Sequence, residues 1–333
     1  MTAAPTRVLL ADPQIAGRRE TLGMLLGDEF LLTVPSDFGE AALTQAARDA
    51  EVIVAHAVPP AVLTAASRLR LFQLWIAGVD HLDFALLRRL RIRVAAAHEN
   101  ARTVAELALA HVLACGRGLA LGDRKLRTGD WSVGRFKAAP GSVTYGTTVG
   151  IVGYGAIGRA FVELARGLAY RILAIKRHRD EHLAARDGLA FLGGPADLPR
   201  LLAESNFVMV TLPKTADTLG LFDEGKLKLM KPSAWLIVVG RMETVDEGAL
   251  YRACRERWIA GAGIDVWTHT PPPEPRLPSR FPFHELDNVV MTPHCGGWSR
   301  EAVGAQIDFV VENLRRFRRG EPLRALVDLE LGY

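Results

Sequence analysis

A glycine-rich turn between an apolar run and a helical pattern is the feature that most constrains this chain. In VGIVGYGAIGRAFVELARGL, Gly153, Gly155 and Gly158 follow the apolar run and open the helical pattern. The first glycine permits a tight turn, the second lets the backbone approach a pyrophosphate, and the third lets helix and strand pack closely. The phosphates would face the N-terminus of the helix. The motif in this context predicts a Rossmann-type dinucleotide-binding sheet.

Strand and helix patterns alternate in two series along the chain. Five short apolar runs lie between RVLLADP and IRVAAAH, with helical patterns from Gly17 and Glu40, and six more runs lie between TTVGIVG and NVVMTPH. Such alternation indicates parallel strands joined by right-handed crossovers. We therefore expect an α/β fold with two doubly wound parallel-sheet domains. The last segment, 299–317, is helical and too short for a domain, so it should fold back on the first series.

Two further stretches separate the series. A helical pattern, TVAELALAHVLACGRGLALGDRKL, is followed by a polar, glycine-rich passage over 127–147. This passage is too long for an ordinary connection within one domain. It is therefore interpreted as an arm, a lid or a contact surface.

The composition excludes several classes of protein. The chain has 333 residues, of which 49% are apolar, so it can bury two cores. Its apolar runs fall short of the roughly 20 residues that a bilayer span needs, and Met1 leads into a strand without a signal peptide. Cys115, Cys254 and Cys295 are odd in number and widely spaced, which suits a reducing compartment and excludes a CxxC metal knuckle. We expect a cytoplasmic protein without a membrane span or a metal site.

A basic block, Lys176, Arg177, His178 and Arg179, stands where the strand after the glycine turn ends. An acid at this place would bind the adenosine ribose hydroxyls of NAD, whereas cations can hold the 2′-phosphate of NADP. The block therefore favours NADP (NADPH) over NAD. The alternative is a basic loop over a site that binds neither cofactor strongly. A second basic cluster over 315–319 lies in an amphipathic helical pattern and is interpreted as a solvated face, so no nucleic-acid binding is expected.

Six segments resemble one known family. These are WIAGVDHLD, TVAELAL, the glycine turn, VTLPKTADT, ALYRACRERWIAGAGIDV and NVVMTPHCGG. In this order they resemble the D-isomer-specific 2-hydroxyacid dehydrogenases, here as an NADP-preferring member with an atypical active site. The resemblance implies a flavodoxin-like substrate domain (1–99 plus 299–333), an inserted NAD(P)-binding Rossmann domain (100–298), and an active site in the cleft. It also implies a homodimer, with 120–147 as the dimerisation arm.

The resemblance assigns the chemical groups of a hydride transfer between a nicotinamide and a small 2-keto or 2-hydroxy acid. Arg241 matches the arginine that binds the substrate carboxylate, together with backbone N–H groups of Ala77, Gly78 and Val79. His294 matches the general acid/base, which protonates the carbonyl oxygen in the reductive direction. Since NADPH is held reduced in cells, reduction is the expected direction.

The same resemblance assigns the cofactor contacts. Asp265 would take a hydrogen bond from the carboxamide, although it could instead cap a strand end. The full set of expected contacts is Gly153, Tyr154, Gly155, Ala156, Ile157, Gly158, Lys176, Arg177, His178, Leu212, Pro213, Thr218, Val239, Gly240, Asp265 and Gly296.

The chain departs from the family pattern near the expected general acid. Thr270 stands where the family has the acid that holds the imidazole, so we expect His294 to be less protonated at neutral pH than its counterparts. Glu274 is a candidate replacement. Cys295, beside His294, is interpreted as a buried, inert thiol.

The loop after the arginine also departs from the pattern. Val238, Met242 and Glu243 stand where the family has Asn and Gly, so their side chains should make the site smaller or move its walls, which favours a small or unusual substrate. These departures support a second hypothesis, in which the chain is a dinucleotide-binding sensor whose chemistry is altered or lost. The presence of both expected catalytic groups favours the enzyme.

Overall fold

The computed structural model describes residues 4–135, 137–139, 141–178, 181–268 and 276–332. The strands are β1 (Thr6–Leu10), β2 (Phe30–Thr33), β3 (Val52–Ala55), β4 (Leu71–Leu74), β5 (Arg93–Ala96), β6 (Thr148–Val152), β7 (Arg171–Ile175), β8 (Phe191–Gly193), β9 (Phe207–Val210), β10 (Trp235–Val238), β11 (Gly261–Ile264) and β12 (Val289–Met291). The α-helices are α1 (Pro13–Ala16), α2 (Arg19–Leu26), α3 (Glu40–Ala47), α4 (Pro60–Ala65), α5 (Phe84–Arg89), α6 (Ala101–Arg117), α7 (Leu119–Arg127), α8 (Ala156–Leu164), α9 (Glu181–Asp187), α10 (Leu198–Glu204), α11 (Glu224–Leu227), α12 (Glu247–Arg255) and α13 (Arg300–Arg319).

The chain forms two compact units, one of Met1–Asn100 with Arg300–Tyr333 and one of Ala101–Ser299. The first contains a five-stranded parallel sheet in the order β2-β1-β3-β4-β5, which is the flavodoxin-like order. Adjacent residues of one strand pack into different cores, as Leu71 and Phe72 do, because helices cover both faces of the sheet.

Helix α13 is part of the first unit. Ile307, Val310 and Leu314 recur at helical spacing and are buried in the same core as β1, β3 and β4. Two fully buried amides add a polar contact, since Asn313 Nδ2 donates to Gln73 Oε1 at 2.9 Å. This pairing satisfies groups that would be costly to bury alone, and it specifies how the helix sits on β4.

The second unit contains a seven-stranded parallel sheet in the order β12-β11-β10-β9-β6-β7-β8. The strand order reverses between β6 and β9, and ligands of such sheets bind at the carboxyl ends of the strands beside that point. The predicted fold class, two doubly wound α/β domains, is confirmed. The sequence indicated six strands here; the seventh, β8, has only three residues and is too short to show a period.

The long helical stretch between the two sheets is broken. Gly118 adopts a left-handed conformation with φ of 61°, which ends α6 and starts α7 in a new direction. Over the described residues no single helix is long and apolar enough to cross a membrane, although α6 and α7, bent by 65°, pass that test as a pair.

Candidate active site

The glycine turn follows β6 and opens α8. Gly153 has φ of 99°, and a Cβ there would lie 3.1 Å from the backbone nitrogen of Leu212. A Cβ on Gly158 would lie 3.1 Å from Ile151 Cγ2 on β6, which explains the third glycine by helix–strand packing. Gly155 is the N-cap of α8 and provides no side-chain cap to the first N–H groups of the helix. The first N–H groups of α8 are therefore not bound by a capping side chain, and such groups at a helix N-terminus can bind a pyrophosphate.

Tyr154, inside the turn, directs its side chain into the protein. It is 1% exposed, and its phenol donates to Asp187 Oδ2 at 2.9 Å. Burial and the bond to Asp187 raise the pKa of the phenol well above its usual value. Only the backbone of Tyr154 is therefore available to a ligand at the turn, and its carbonyl accepts a bond from Lys176 Nζ at 3.4 Å.

The basic block begins directly after β7, next to the glycine turn. Lys176 is half-buried, whereas Arg177 and His178 are exposed. Arg177 Nη2 forms an ion pair with Asp217 Oδ2 at 2.7 Å. Arg179 lies outside the described residues. The block therefore combines an ammonium group fixed over the turn with a guanidinium group whose carboxylate partner comes from the loop after β9.

That loop contains the next group of predicted contacts. Leu212 is half-buried and Pro213 is exposed. The Thr218 hydroxyl donates to the Pro213 carbonyl at 2.6 Å and accepts from the Thr215 amide at 2.8 Å. Thr218 thus holds the shape of the loop.

Arg241 follows β10. This strand pairs with β9, which in turn pairs with β6, the strand before the glycine turn. Arg241 Nη1 donates to the carbonyl of Gly240 at 3.1 Å, and the side chain is half-buried. A Cβ on Gly240 would lie 2.7 Å from the Leu212 carbonyl oxygen, so only glycine fits there. Val239 is 5% exposed and belongs to the core.

The side chains after Arg241 do not all face the site, contrary to what the sequence had suggested. Met242 is 1% exposed because the short helical turn Met242–Thr244 directs it into the core, where Val238 is also buried. Glu243 pairs with Lys214 at 3.0 Å. The expectation of a smaller site was therefore wrong for Val238 and Met242, because both side chains are buried in the core.

His294 lies after β12 and is exposed, with φ of 55° in the left-handed region. The carboxylate of Asp265, at the end of β11, accepts hydrogen bonds from the amides of Cys295 at 3.0 Å and Gly296 at 2.9 Å. Asp265 is 2% exposed. It therefore fixes the backbone that immediately follows His294.

Cys295 is exposed, contrary to the expectation of a buried thiol. Both its amide and its sulfur face Asp265, since the amide nitrogen lies 3.0 Å and Sγ lies 3.8 Å from Oδ1 of that carboxylate. Partial burial and the Asp265 carboxylate nevertheless raise the pKa of the thiol. The sulfur therefore stays protonated at neutral pH, as an inert thiol would.

The remaining predicted residues lie elsewhere or outside the described residues. In the first unit, Ala77 and Gly78 are half-buried after β4, and Val79 is 8% exposed and packs in the core. In the second unit, Ala156 is exposed and Ile157 half-buried at the start of α8. Thr270 and Glu274 both fall outside the described residues. Over the described parts of the chain, no three His, Cys, Asp or Glu side chains are grouped to hold a metal.

Sequence reasoning missed three residues near these groups. Asp217 pairs with Arg177, and Thr292 and His111 join Asp265 in one hydrogen-bonded chain, with Thr292 Oγ1 2.6 Å from Asp265 Oδ1. Thr292 could have been found from the sequence, because it lies two residues before His294 in the same motif. A histidine in the middle of an apolar helix gives no such signal.

The chain matches a family described as D-isomer specific 2-hydroxyacid dehydrogenase, NAD binding domain, over residues 109–296. It is 35% identical to a glyoxylate reductase of Pyrococcus furiosus over 297 residues, covering 87% of this chain and 85% of that protein.

Two solved structures are similar over nearly the whole chain. One is an NADPH-dependent glyoxylate/hydroxypyruvate reductase from Sinorhizobium meliloti in complex with NADP and malonate, with a TM-score of 0.78, 26% identity, and coverage of 99% of this chain and 98% of that one. The other is a D-isomer specific 2-hydroxyacid dehydrogenase from Xanthobacter autotrophicus Py2 in complex with NADPH and MES, with a TM-score of 0.79, 25% identity, and coverage of 99% and 100%.

Proposed function

Because the chain belongs to the D-isomer-specific 2-hydroxyacid dehydrogenases and is thus an NAD(P)-dependent oxidoreductase, we propose that it reduces a small 2-keto acid with NADPH. Glyoxylate and hydroxypyruvate are the proposed substrates, since related proteins are named for them. The observation that carries the choice of NADPH is the pair Lys176 and Arg177 at the end of β7.

The chain's own residues explain how the cofactor would be held. The first N–H groups of α8 and the backbone of Gly155 would bind the pyrophosphate. Lys176 and Arg177 would bind the ribose 2′-phosphate, for which a guanidinium provides a fork of donors. An acid that accepts both ribose hydroxyls, as NAD requires, does not occupy position 176, 177 or 178. These features support NADPH over NADH.

The substrate carboxylate would pair with Arg241. The bond from Arg241 Nη1 to the Gly240 carbonyl holds the base of the guanidinium at the end of β10. A guanidinium fixed in this way offers two parallel N–H donors to a carboxylate. A 2-keto acid thereby has one defined orientation.

The nicotinamide, when bound, would provide the hydride that reduces the carbonyl carbon of the substrate. His294 would donate a proton to the carbonyl oxygen as negative charge develops there, and would take it back in the oxidative direction. The left-handed backbone at residue 294 is unusual for a side chain with a Cβ, and such conformations are often found at functional sites.

The alternative of an inactive dinucleotide sensor rested partly on the altered loop after Arg241. Met242 is buried in the core and Glu243 is paired with Lys214, so this argument for a blocked site is weakened. The substitution at Thr270 is what still supports the alternative.

A homodimer is also proposed, with the segment 120–147 as its contact arm. Leu126, Trp131, Val143 and Tyr145 are 53%, 70%, 69% and 63% exposed. Large apolar side chains concentrated in one segment indicate a protein contact. Sedimentation equilibrium should give a dimer that Trp131→Lys converts to a monomer; a wild-type monomer at micromolar concentration would contradict this.

The test of the proposed reaction is NADPH oxidation with glyoxylate, hydroxypyruvate, pyruvate and phenylpyruvate, each repeated with NADH. We expect turnover of at least one small acid and a higher kcat/KM with NADPH. Tight NADPH binding by nicotinamide fluorescence without turnover of any acid would favour the sensor instead.

A further inference from the structure

A buried hydrogen-bonded chain connects the middle of α6 to the backbone around His294. His111 Nε2 lies 3.0 Å from Thr292 Oγ1, and Thr292 Oγ1 lies 2.6 Å from Asp265 Oδ1. Asp265 in turn accepts hydrogen bonds from the backbone amides of Cys295 and Gly296. Its carboxylate therefore binds donors on both sides of His294 in the sequence.

The direction of each hydrogen bond follows from the chemistry of the groups. The Thr292 hydroxyl has one proton and two neighbouring acceptors, Asp265 Oδ1 at 2.6 Å and the Ile264 carbonyl at 3.5 Å, and the shorter contact assigns the proton to Asp265. The same hydroxyl oxygen must then accept from His111, which places a proton on Nε2. His111 Nδ1 is buried without a hydrogen-bond partner. Burial lowers the pKa of His111, which favours the neutral form of the ring.

The ring of His111 is closely packed. It is 2% exposed, and a Cβ on Gly263 of β11 would lie 2.8 Å from its Nδ1. The ring therefore lies directly against the strand that ends in Asp265. On the other side, a Cβ on Gly296 would lie 2.9 Å from Asp265 Oδ2. Two glycines thus let helix, strand and loop approach closely enough for the chain of bonds.

The backbone at His294 needs such support. Its φ of 55° is unfavourable for a residue with a Cβ, so neighbouring contacts must hold it. Thr292 precedes this residue by two positions, and the two amides held by Asp265 follow it directly. One carboxylate thereby fixes both ends of the four-residue segment Thr292–Cys295.

We propose that Thr292 and His111 are positioning residues for His294 and act through the buried carboxylate of Asp265. The inference rests on the proposed role of His294 as the proton donor. It adds that the orientation of the imidazole depends on a hydroxyl and a second, buried histidine. Asp265 Oδ2 accepts only one of these bonds, so a lone pair is left for a cofactor amide.

The experiment compares variants that differ in one hydrogen-bonding group. Thr292→Val removes the hydroxyl, whereas Thr292→Ser retains it. His111→Leu removes the N–H donor of the ring, whereas His111→Gln retains an N–H donor in its amide. Thr147→Val is the matched control, because its hydroxyl donates to the Thr144 carbonyl before the start of β6, at the amino ends of the strands and away from the loops that follow their carboxyl ends. For each variant, kcat, KM, the Kd for NADPH and hydrogen exchange of the 292–298 peptide are measured.

For Thr292→Val we expect kcat to fall by about 10-fold or more, while the Kd for NADPH stays within about 2-fold. Thr292→Ser should recover most of that loss. The amides of Cys295 and Gly296 should exchange faster in Thr292→Val and His111→Leu than in Thr292→Ser, His111→Gln or the control. Should Thr292→Val fail to fold, the His111 pair provides the same comparison.

Two outcomes overturn the inference while the reaction stands. One is an unchanged kcat in folded Thr292→Val and His111→Leu. The other is a fall in kcat matched by an equal rise in the Kd for NADPH, which would assign the chain of bonds to cofactor binding. If the wild type reduces none of the acids, the proposed reaction fails instead, and hydrogen exchange of the 292–298 peptide then tests the positioning role. Faster exchange in Thr292→Val and His111→Leu supports that role, and unchanged exchange refutes it.

Discussion

Replacing Asp217 by Asn should raise the affinity for NADPH and leave that for NADH nearly unchanged. Asp217 Oδ2 lies 2.7 Å from Arg177 Nη2, and the two side chains are 76% and 33% exposed. A carboxylate in this position competes with a ribose 2′-phosphate for the guanidinium. Asp217 is thus expected to limit the preference for NADPH that we propose for Arg177.

The magnitude follows from the kind of interaction that is lost. An exposed ion pair is worth about 0.2–1 kcal/mol, so Asp217→Asn should tighten NADPH binding by up to about 5-fold. Arg177→Ala should have the opposite and larger effect. A hydrogen bond to a charged group is worth about 1.5–3 kcal/mol, which corresponds to roughly 10- to 150-fold weaker NADPH binding. NADH lacks the phosphate, so its affinity should change little.

The assay is a fluorescence titration of each variant with NADPH and with NADH at two salt concentrations. Arg200→Ala is the control, since Arg200 also forms an exposed ion pair, with Glu204 at 2.8 Å, on helix α10. The effects at Arg177 should shrink at higher salt. Weaker NADPH binding in Asp217→Asn would show that the carboxylate orients Arg177 rather than competing, and an unchanged preference in Arg177→Ala would refute the phosphate contact itself.

Three further predictions concern stability and reactivity. Asn313→Leu leaves the side-chain oxygen of buried Gln73 without its donor, so the free energy of unfolding should fall by about 1–3 kcal/mol, visible in calorimetry as a lower Tm; an unchanged Tm would contradict this. Burial, with a neighbouring carboxylate, raises the pKa of Cys295, so alkylation by iodoacetamide at pH 7.5 should be slower than for a free cysteine; mass spectrometry showing an equal or faster rate would be the contrary result. Gly240→Ala puts a Cβ 2.7 Å from the Leu212 carbonyl oxygen, so both Tm and NADPH affinity should drop, and retention of both would show that the backbone can yield.

The fold was predictable because its signals are local. Apolar runs, a glycine turn and alternating helices are visible in the sequence, and they indicated both parallel sheets. The short strand β8 and the break at Gly118 escaped because neither alters the apolar pattern of its neighbours. Their positions depend on packing between segments distant in sequence.

The candidate site was predictable only where a motif surrounds the residue. The glycine turn, Arg241 and His294 follow strands in the places that the motifs indicated. The burial of a side chain was harder to predict, since Met242 is buried in the core and Cys295 is exposed, each contrary to the expectation. The helical turn Met242–Thr244 and the left-handed backbone of His294 determine this burial. Neither feature can be recognised from the residue types alone.

Contacts between segments distant in sequence could not be predicted at all. Arg177 and Asp217 are forty residues apart, and His111 and Thr292 are separated by 181. A lone histidine in an apolar helix looks like any core residue until the neighbouring strand is in place. The folded chain is needed to reveal such pairs.

The most direct test of the proposed reaction compares wild type and His294→Asn in steady-state NADPH oxidation with glyoxylate and hydroxypyruvate, alongside the Kd for NADPH. The side chain of Asn keeps a polar group near the imidazole position but cannot donate a proton as an acid. We expect turnover by the wild type, loss of turnover in the variant, and a Kd unchanged within about 2-fold. Activity of the variant within a few-fold of the wild type would contradict the account, because another group would then be the proton donor.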